Sequence, residues 1–142
     1  MADIMHSLQI AARPEQIWPL VSTGPGMAQW WAADVSVNGD TVELGFFKRN
    51  TMYRLRPLVN EPNQRMEWRC ETGKEWSGTR IVFQLLAMEK GTLVKFKHAE
   101  WEAATDYFVS CNTVWGALMF RLKSAAEGKP AGPLFTADAM AY

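Results

Sequence analysis

From residue 104 to residue 127 the apolar side chains Ala104, Phe108, Cys111, Trp115, Leu118, Leu122 and Ala125 recur at alternating spacings of four and three, the period of one helical face. A face carrying two large aromatics must be covered, and the strand-like segments upstream offer the only other apolar surface. The chain is thereby constrained to lay a long C-terminal helix across the concave side of a sheet. Function belongs in the space between them, which is filled either by a ligand or by side chains alone.

The upstream segments show two-residue periodicity. Ile4, His6, Leu8 and Ile10 alternate with polar or small neighbours in a first strand that stops at Arg13-Pro14-Glu15,. Pro14 suits a first helical turn, and Ile17, Leu20 and Val21 line one side of a short helix closed by Ser22-Thr23-Gly24-Pro25-Gly26,. A second short helix is expected over Met27 to Trp31. Six further strands are expected at 34–37, 41–48, 52–59, 64–71, 79–87 and 92–101, separated by turn signals such as Asn38-Gly39-Asp40 and Glu89-Lys90-Gly91,. Connections this short predict an antiparallel meander. Val42, Leu44 and Phe46, then Met66, Trp68 and Cys70, then Ile81, Phe83 and Leu85, then Val94, Phe96 and His98 share its inner face, with Arg65, Glu67, Arg69, Lys95 and Lys97 toward water,. The expectation is an α+β fold with one domain over residues 1–130. A C-terminal tail follows over 131–142, loose from Leu134 onward because the Gly-Lys-Pro-Ala-Gly-Pro run ends the helix,.

A chain of 142 residues buries about 68–70% of its unfolded surface, enough for a core without metal or disulfide staples. Fifteen basic and fifteen acidic residues cancel without forming blocks, which argues against nucleic acid as a partner. The start of the sequence reads as no signal peptide, and no apolar run approaches the ~20 residues of a membrane span. A cytoplasmic protein without membrane insertion is expected. Cys70 and Cys111 have no metal-ligand spacing and read as unpaired, small buried hydrophobes. Hydrolase, zinc-protease and nucleotide-binding fingerprints do not occur in the sequence, so no cofactor is expected.

Several local motifs combine with this element order. They are Ala12-Arg13-Pro14-Glu15-Gln16-Ile17-Trp18, the pair Trp30-Trp31, Thr79-Arg80-Ile81-Val82-Phe83-Gln84-Leu85, Gly91-Thr92-Leu93-Val94-Lys95-Phe96-Lys97-His98 with Trp101, and Trp115 with Leu118 and Leu122. Together they resemble the START-related, Bet v 1-like helix-grip superfamily (SRPBCC), in particular its branch related to the Hsp90 ATPase activator. The resemblance covers nearly the whole chain and departs from it at Asn38-Gly39-Asp40-Thr41, where many relatives carry a paired-glycine turn. It implies a curved antiparallel sheet of about seven strands, two short helices after the first strand, and a long helix over the concave face. It also implies an enclosed cavity for apolar or amphipathic molecules, in a superfamily of carriers, polyketide cyclases and chaperone activators.

The candidate ligand-binding residues are Phe46, Trp68, Phe83, Phe96, Phe108 and Trp115, which converge between sheet and helix, together with Arg54 and His98. Arg54 and Arg56 share a strand face with Met52 and Leu58. They clamp an anionic head group if that face is concave, and reach solvent if it is not. His98, like His6, follows the apolar alternation and is either a proton carrier at the cavity wall or a hydrogen-bonded structural histidine. Trp30 and Trp31, adjacent in a helix, would point in different directions, one packing and the other rimming an opening. The expected function is binding of a small apolar or amphipathic molecule between sheet and helix; the alternatives are a cyclase- or hydratase-like reaction in the same pocket using His98 or Tyr53, and a chaperone-activator-like interaction module for a protein partner or homodimer exposing Trp30, Trp31 and Trp76.

Overall fold

The computed structural model describes residues 1–136. Strand β1 (Ala2–Ile10) is followed by helices α1 (Pro14–Ser22) and α2 (Gly24–Met27). Then come β2 (Asp34–Asn38), β3 (Thr41–Phe46), β4 (Thr51–Glu61), β5 (Arg65–Cys70), β6 (Arg80–Met88), β7 (Gly91–Trp101) and the long helix α3 (Asp106–Ala126). The strands form one antiparallel sheet in the order β1-β7-β6-β5-β4-β3-β2. No described helix is long and apolar enough to cross a membrane.

Local chemistry sets the short helices. Pro14 opens α1, and the Arg13 N–H donates to the Gln16 side chain at 2.9 Å. The second helix lies one turn earlier than its expected place at Met27–Trp31, because the Thr23 hydroxyl accepts from the Gly26 N–H at 3.0 Å and caps the turn there,. Gly26 is required: a Cβ at this position would stand 1.9 Å from the Pro19 carbonyl oxygen.

The alternation read from the sequence is the inner face of the sheet. Met66 pairs with Phe83, Phe83 with Phe96 and Ile81 with His98 across β5, β6 and β7, and all are buried. On β4 the phase is the opposite of the one that would bring the arginines inward. Tyr53 and Leu55 face the core opposite Leu44 and Val42, while a bulge between Pro57 and Val59 leaves Leu58 exposed,. Glu67, expected in water, is buried on the convex face between Arg65 and Arg80, each 2.6 Å from one of its oxygens.

Thr105 caps α3 by accepting from the Phe108 N–H at 3.2 Å, and Cys111, Trp115, Leu118, Met119 and Leu122 form its buried side. The expected loose tail is tied down where it is described. Leu134 and Phe135 N–H groups donate to the Trp30 and Trp31 carbonyls at 3.1 and 3.0 Å, and the Ala33 N–H donates to the Phe135 carbonyl at 2.9 Å. The remainder of that expected tail, residues 137–142, lies outside the described residues.

Candidate functional site

Between the inner face of the sheet and α3 the aromatic side chains pack into one continuous cluster. Trp115, on the helix, lies 4.3 Å from Phe96 and 4.8 Å from Trp31 between ring centroids. Trp30 and Trp31 are both fully buried and stack on one another at 5.6 Å, so neither rims an opening. They sit in a turn, not a helix, with the Trp30 and Trp31 N–H groups both directed to the Met27 carbonyl. The 100° rotation between adjacent helical positions therefore does not apply. The Trp30 indole N–H is satisfied by the Leu20 carbonyl at 2.8 Å. Trp76 is also buried, folding back from the β5–β6 loop to stack flat on Tyr53 at 3.9 Å. Gly73 makes that possible, since its φ is +111° and a Cβ would stand 2.4 Å from the Tyr53 ring. An interaction surface built on these three tryptophans is thereby excluded.

His98 is fully buried and has both ring nitrogens engaged. The Trp115 indole, which can only donate, bonds His98 Nδ1 at 3.1 Å. Nδ1 is therefore the acceptor and Nε2 carries the proton, donating to Thr79 Oγ1 at 2.8 Å,. The Thr79 hydroxyl in turn donates to the Trp76 carbonyl at 2.6 Å. Burial pushes His98 down to about 3, so at neutral pH it is an uncharged strut between helix and sheet. Of the two readings of His98, the hydrogen-bonded structural one fits this geometry, and the proton-carrier alternative finds no free nitrogen.

The open volume left by this packing is a cavity of about 90 Å³ near one end of α3, lined by Trp31, Phe46, Tyr53, Trp76, Tyr107, Cys111, Trp115 and Phe135 among others. Of the expected ligand-binding residues, Phe46 and Trp115 line it. Trp68, Phe83 and Phe96 are core, with the Trp68 N–H bonded to the Val21 carbonyl at 3.0 Å. Phe108 is half-buried edge-on against Trp101 at 5.3 Å. Arg54 is on the convex face, where its Nε meets Glu71 at 3.0 Å while Arg56 holds the other Glu71 oxygen at 2.8 Å. It is a surface ion pair and not a ligand clamp.

The cavity has a polar corner. The Tyr53 and Tyr107 hydroxyls are hydrogen-bonded to each other, and burial raises both groups, Tyr107 up to about 12. Beside them the Trp76 indole N–H has no oxygen or nitrogen acceptor among the described residues and faces the Cys111 sulfur. Phe47, which lines the cavity, and the next two residues, Lys48 and Arg49, take φ values of +54°, +56° and +69°. Three successive non-glycine residues in the left-handed region store strain of about 1–2 kcal/mol each, the kind of segment held in place by its surroundings at ligand sites.

Cys70 and Cys111 are unpaired and buried; burial raises both thiols, Cys70 up to about 12. Slow labelling by a thiol reagent under native conditions is the expected result, Cys70 slower than the cavity-lining Cys111. Rapid stoichiometric modification of Cys70 would contradict its burial.

Comparison with known proteins found no matching family model and no matching curated protein. Among solved structures, the solution structure of the Aha1 dimer from Colwellia psychrerythraea is 32% identical, with a TM-score of 0.80 over 91% of this chain and 98% of that one. A Staphylococcus saprophyticus protein is 18% identical, with a TM-score of 0.72 over 94% of this chain and 100% of its own. CalU16 from Micromonospora echinospora is 16% identical, with a TM-score of 0.73 over 92% of this chain and 68% of its own. The last two show a common fold. The first, with the helix over the curved sheet and the motifs above, places the chain in a family: it belongs to the START/Bet v 1-like helix-grip superfamily (SRPBCC), in the branch of the Hsp90 ATPase activator Aha1.

Proposed function

We propose that the chain binds one small, largely apolar molecule in the cavity beneath α3, with a hydrogen-bonding group of that molecule directed at the Tyr53, Tyr107 and Trp76 corner. The observation that carries this reading is the Trp76 N–H, a buried donor without an oxygen or nitrogen acceptor on the wall of an otherwise aromatic cavity. A sulfur is a weak acceptor, so this donor bears part of the ~1–3 kcal/mol that a fully unmet buried donor costs, and a ligand acceptor would offset that part. Size bounds the ligand. An apolar cavity of about 150 Å³ accepts benzene, so about 90 Å³ takes a few heavy atoms as it stands, and a ring requires Tyr107 or Phe135 to give way.

Titration with phenol, followed through the indole N–H resonances, tests this. The Trp76 signal should shift saturably while that of Trp68, bonded inside the core, stays in place. Filling the cavity with Val114→Phe should remove the response. An unmoved Trp76 resonance, or a shift that survives the filling substitution, would refute the reading.

A second reading concerns assembly. The Colwellia relative is described as a dimer, and at this identity over nearly the full chain we infer that the present protein pairs with a second copy of itself. Sedimentation velocity from micromolar to millimolar concentration should show a monomer–dimer equilibrium; a monomer throughout would sink the reading.

A further inference from the structure

The outward side of α3 is unlike the rest of the surface. Val109 is 59% exposed and Phe120 66% exposed, and Asn112, Thr113 and Ala117 between them are exposed as well. From 107 to 120 the helix carries no charged residue, whereas the convex sheet face presents Arg54, Arg56, Arg69, Lys95 and Lys97. Loss of charge together with exposed aromatic and aliphatic side chains is the composition of an interface core.

Val109, Thr113, Gly116 and Phe120 follow one another at spacings of four, three and four, the seam of a helix that packs against another helix. The seam is large at both ends and small in the middle. Gly116 is the independent observation. A glycine within a helix costs about 1 kcal/mol relative to alanine, and nothing among the described residues asks for it. A Cβ there would meet only His6 Cε1, at an ordinary 3.7 Å. Its use lies outside, where a missing side chain lets another backbone approach.

We propose that this seam is the surface on which a second copy of the chain docks, the two α3 helices crossing antiparallel with Thr113 of each against Gly116 of the other, and Phe120 of each over the partner copy's Val109. The inference rests on the pairing stated above and adds its surface and direction. The arrangement is self-complementary, as a two-fold contact must be. The seam is short, the eleven helical steps from Val109 to Phe120 spanning about 17 Å. It falls below the ~1,200 Å² of a standard interface, so the equilibrium is weak and depends on concentration.

Sedimentation velocity on the intact chain is the test. Phe120→Glu should weaken pairing at least ~tenfold, the effect of ~1.4 kcal/mol, without lowering the melting temperature of the monomer. Gly116→Ala should move the two readouts in opposite directions, raising the melting temperature while weakening pairing. Val109→Glu combined with Phe120→Lys should restore pairing that each single change weakens, because an antiparallel crossing sets Glu against Lys at both ends whereas a parallel one sets like charges together. Met5→Glu, an equally exposed apolar residue on the sheet, should change nothing. A dimer that persists in Phe120→Glu, or one that Met5→Glu breaks, overturns the surface and leaves the pairing; a wild-type chain that stays monomeric overturns both.

Discussion

Trp115→Ala is expected to cost ~3–5 kcal/mol of unfolding free energy, in urea unfolding monitored by circular dichroism. The ring is 1% exposed and packs on Phe96 and Trp31, so truncation opens a void that rigid aromatic neighbours cannot close. It also strips His98 Nδ1 of the indole donor that it has among the described residues. Trp115→Phe separates the two effects, since it keeps most of the volume and loses the N–H. It should cost ~1–3 kcal/mol, the penalty of an unmet buried acceptor. A loss in Trp115→Ala no larger than in Trp115→Phe would mean that the ring faces the cavity more than the core.

Stability should fall as pH drops below about 6.5, by ~1.4 kcal/mol for each pH unit, until His98 itself takes a proton near about 3,. The sign follows from the direction of the shift. Burial depresses the folded-state value below that of the unfolded chain, so between the two the unfolded state binds the proton and the folded state does not. The contribution is complete above the unfolded value and is lost on acidification through that window. Unfolding free energies at steps between pH 7 and pH 4 should show the slope, and His98→Gln should flatten it. A slope unchanged in that variant would assign the acid sensitivity to the carboxylates instead, above all Glu67, which Arg65 and Arg80 hold ionised against the effect of burial.

The inner sheet face was legible because alternation has a period of two and burial enforces it: Phe83, Phe96 and His98 are where the pattern puts them. The fold followed from that face and from the helix period. On β4 the same rule gave two answers, since Met52, Arg54, Arg56 and Leu58 alternate with Tyr53, Leu55 and Val59, both sets being partly apolar. Pairing with β3 chose Tyr53 and Leu55 for the core. Trp30 and Trp31 were misjudged because their turn is set by a cap at Thr23 and by a close approach at Gly26, neither of which a hydrophobic pattern records. Phe135 was unreadable for a different reason. It is placed by backbone bonds to Trp30, Trp31 and Ala33, a pairing across a hundred residues with no local signature. The cavity could not be sized from sequence at all, being the small difference between the space enclosed and the side-chain volume that fills it. The signal that was available for its polar corner was Tyr53 on the core-facing phase of β4.

The order of the sheet bears on how the chain comes to be made. Among the described strands β1 has a single neighbour, β7, with Ile4 opposite His98. On a ribosome moving at ~5–20 residues per second, the first strand waits on the order of ten seconds for the edge it will occupy. In that interval its apolar side has no sheet to rest on, and the hairpins β2 to β6 can assemble without it. Docking of β1 is therefore a late, long-range closure, the kind of step that slows folding of strand-rich topologies. Until it occurs, β1 and the edge of β7 that it will cover are both left open to whatever else is in reach,.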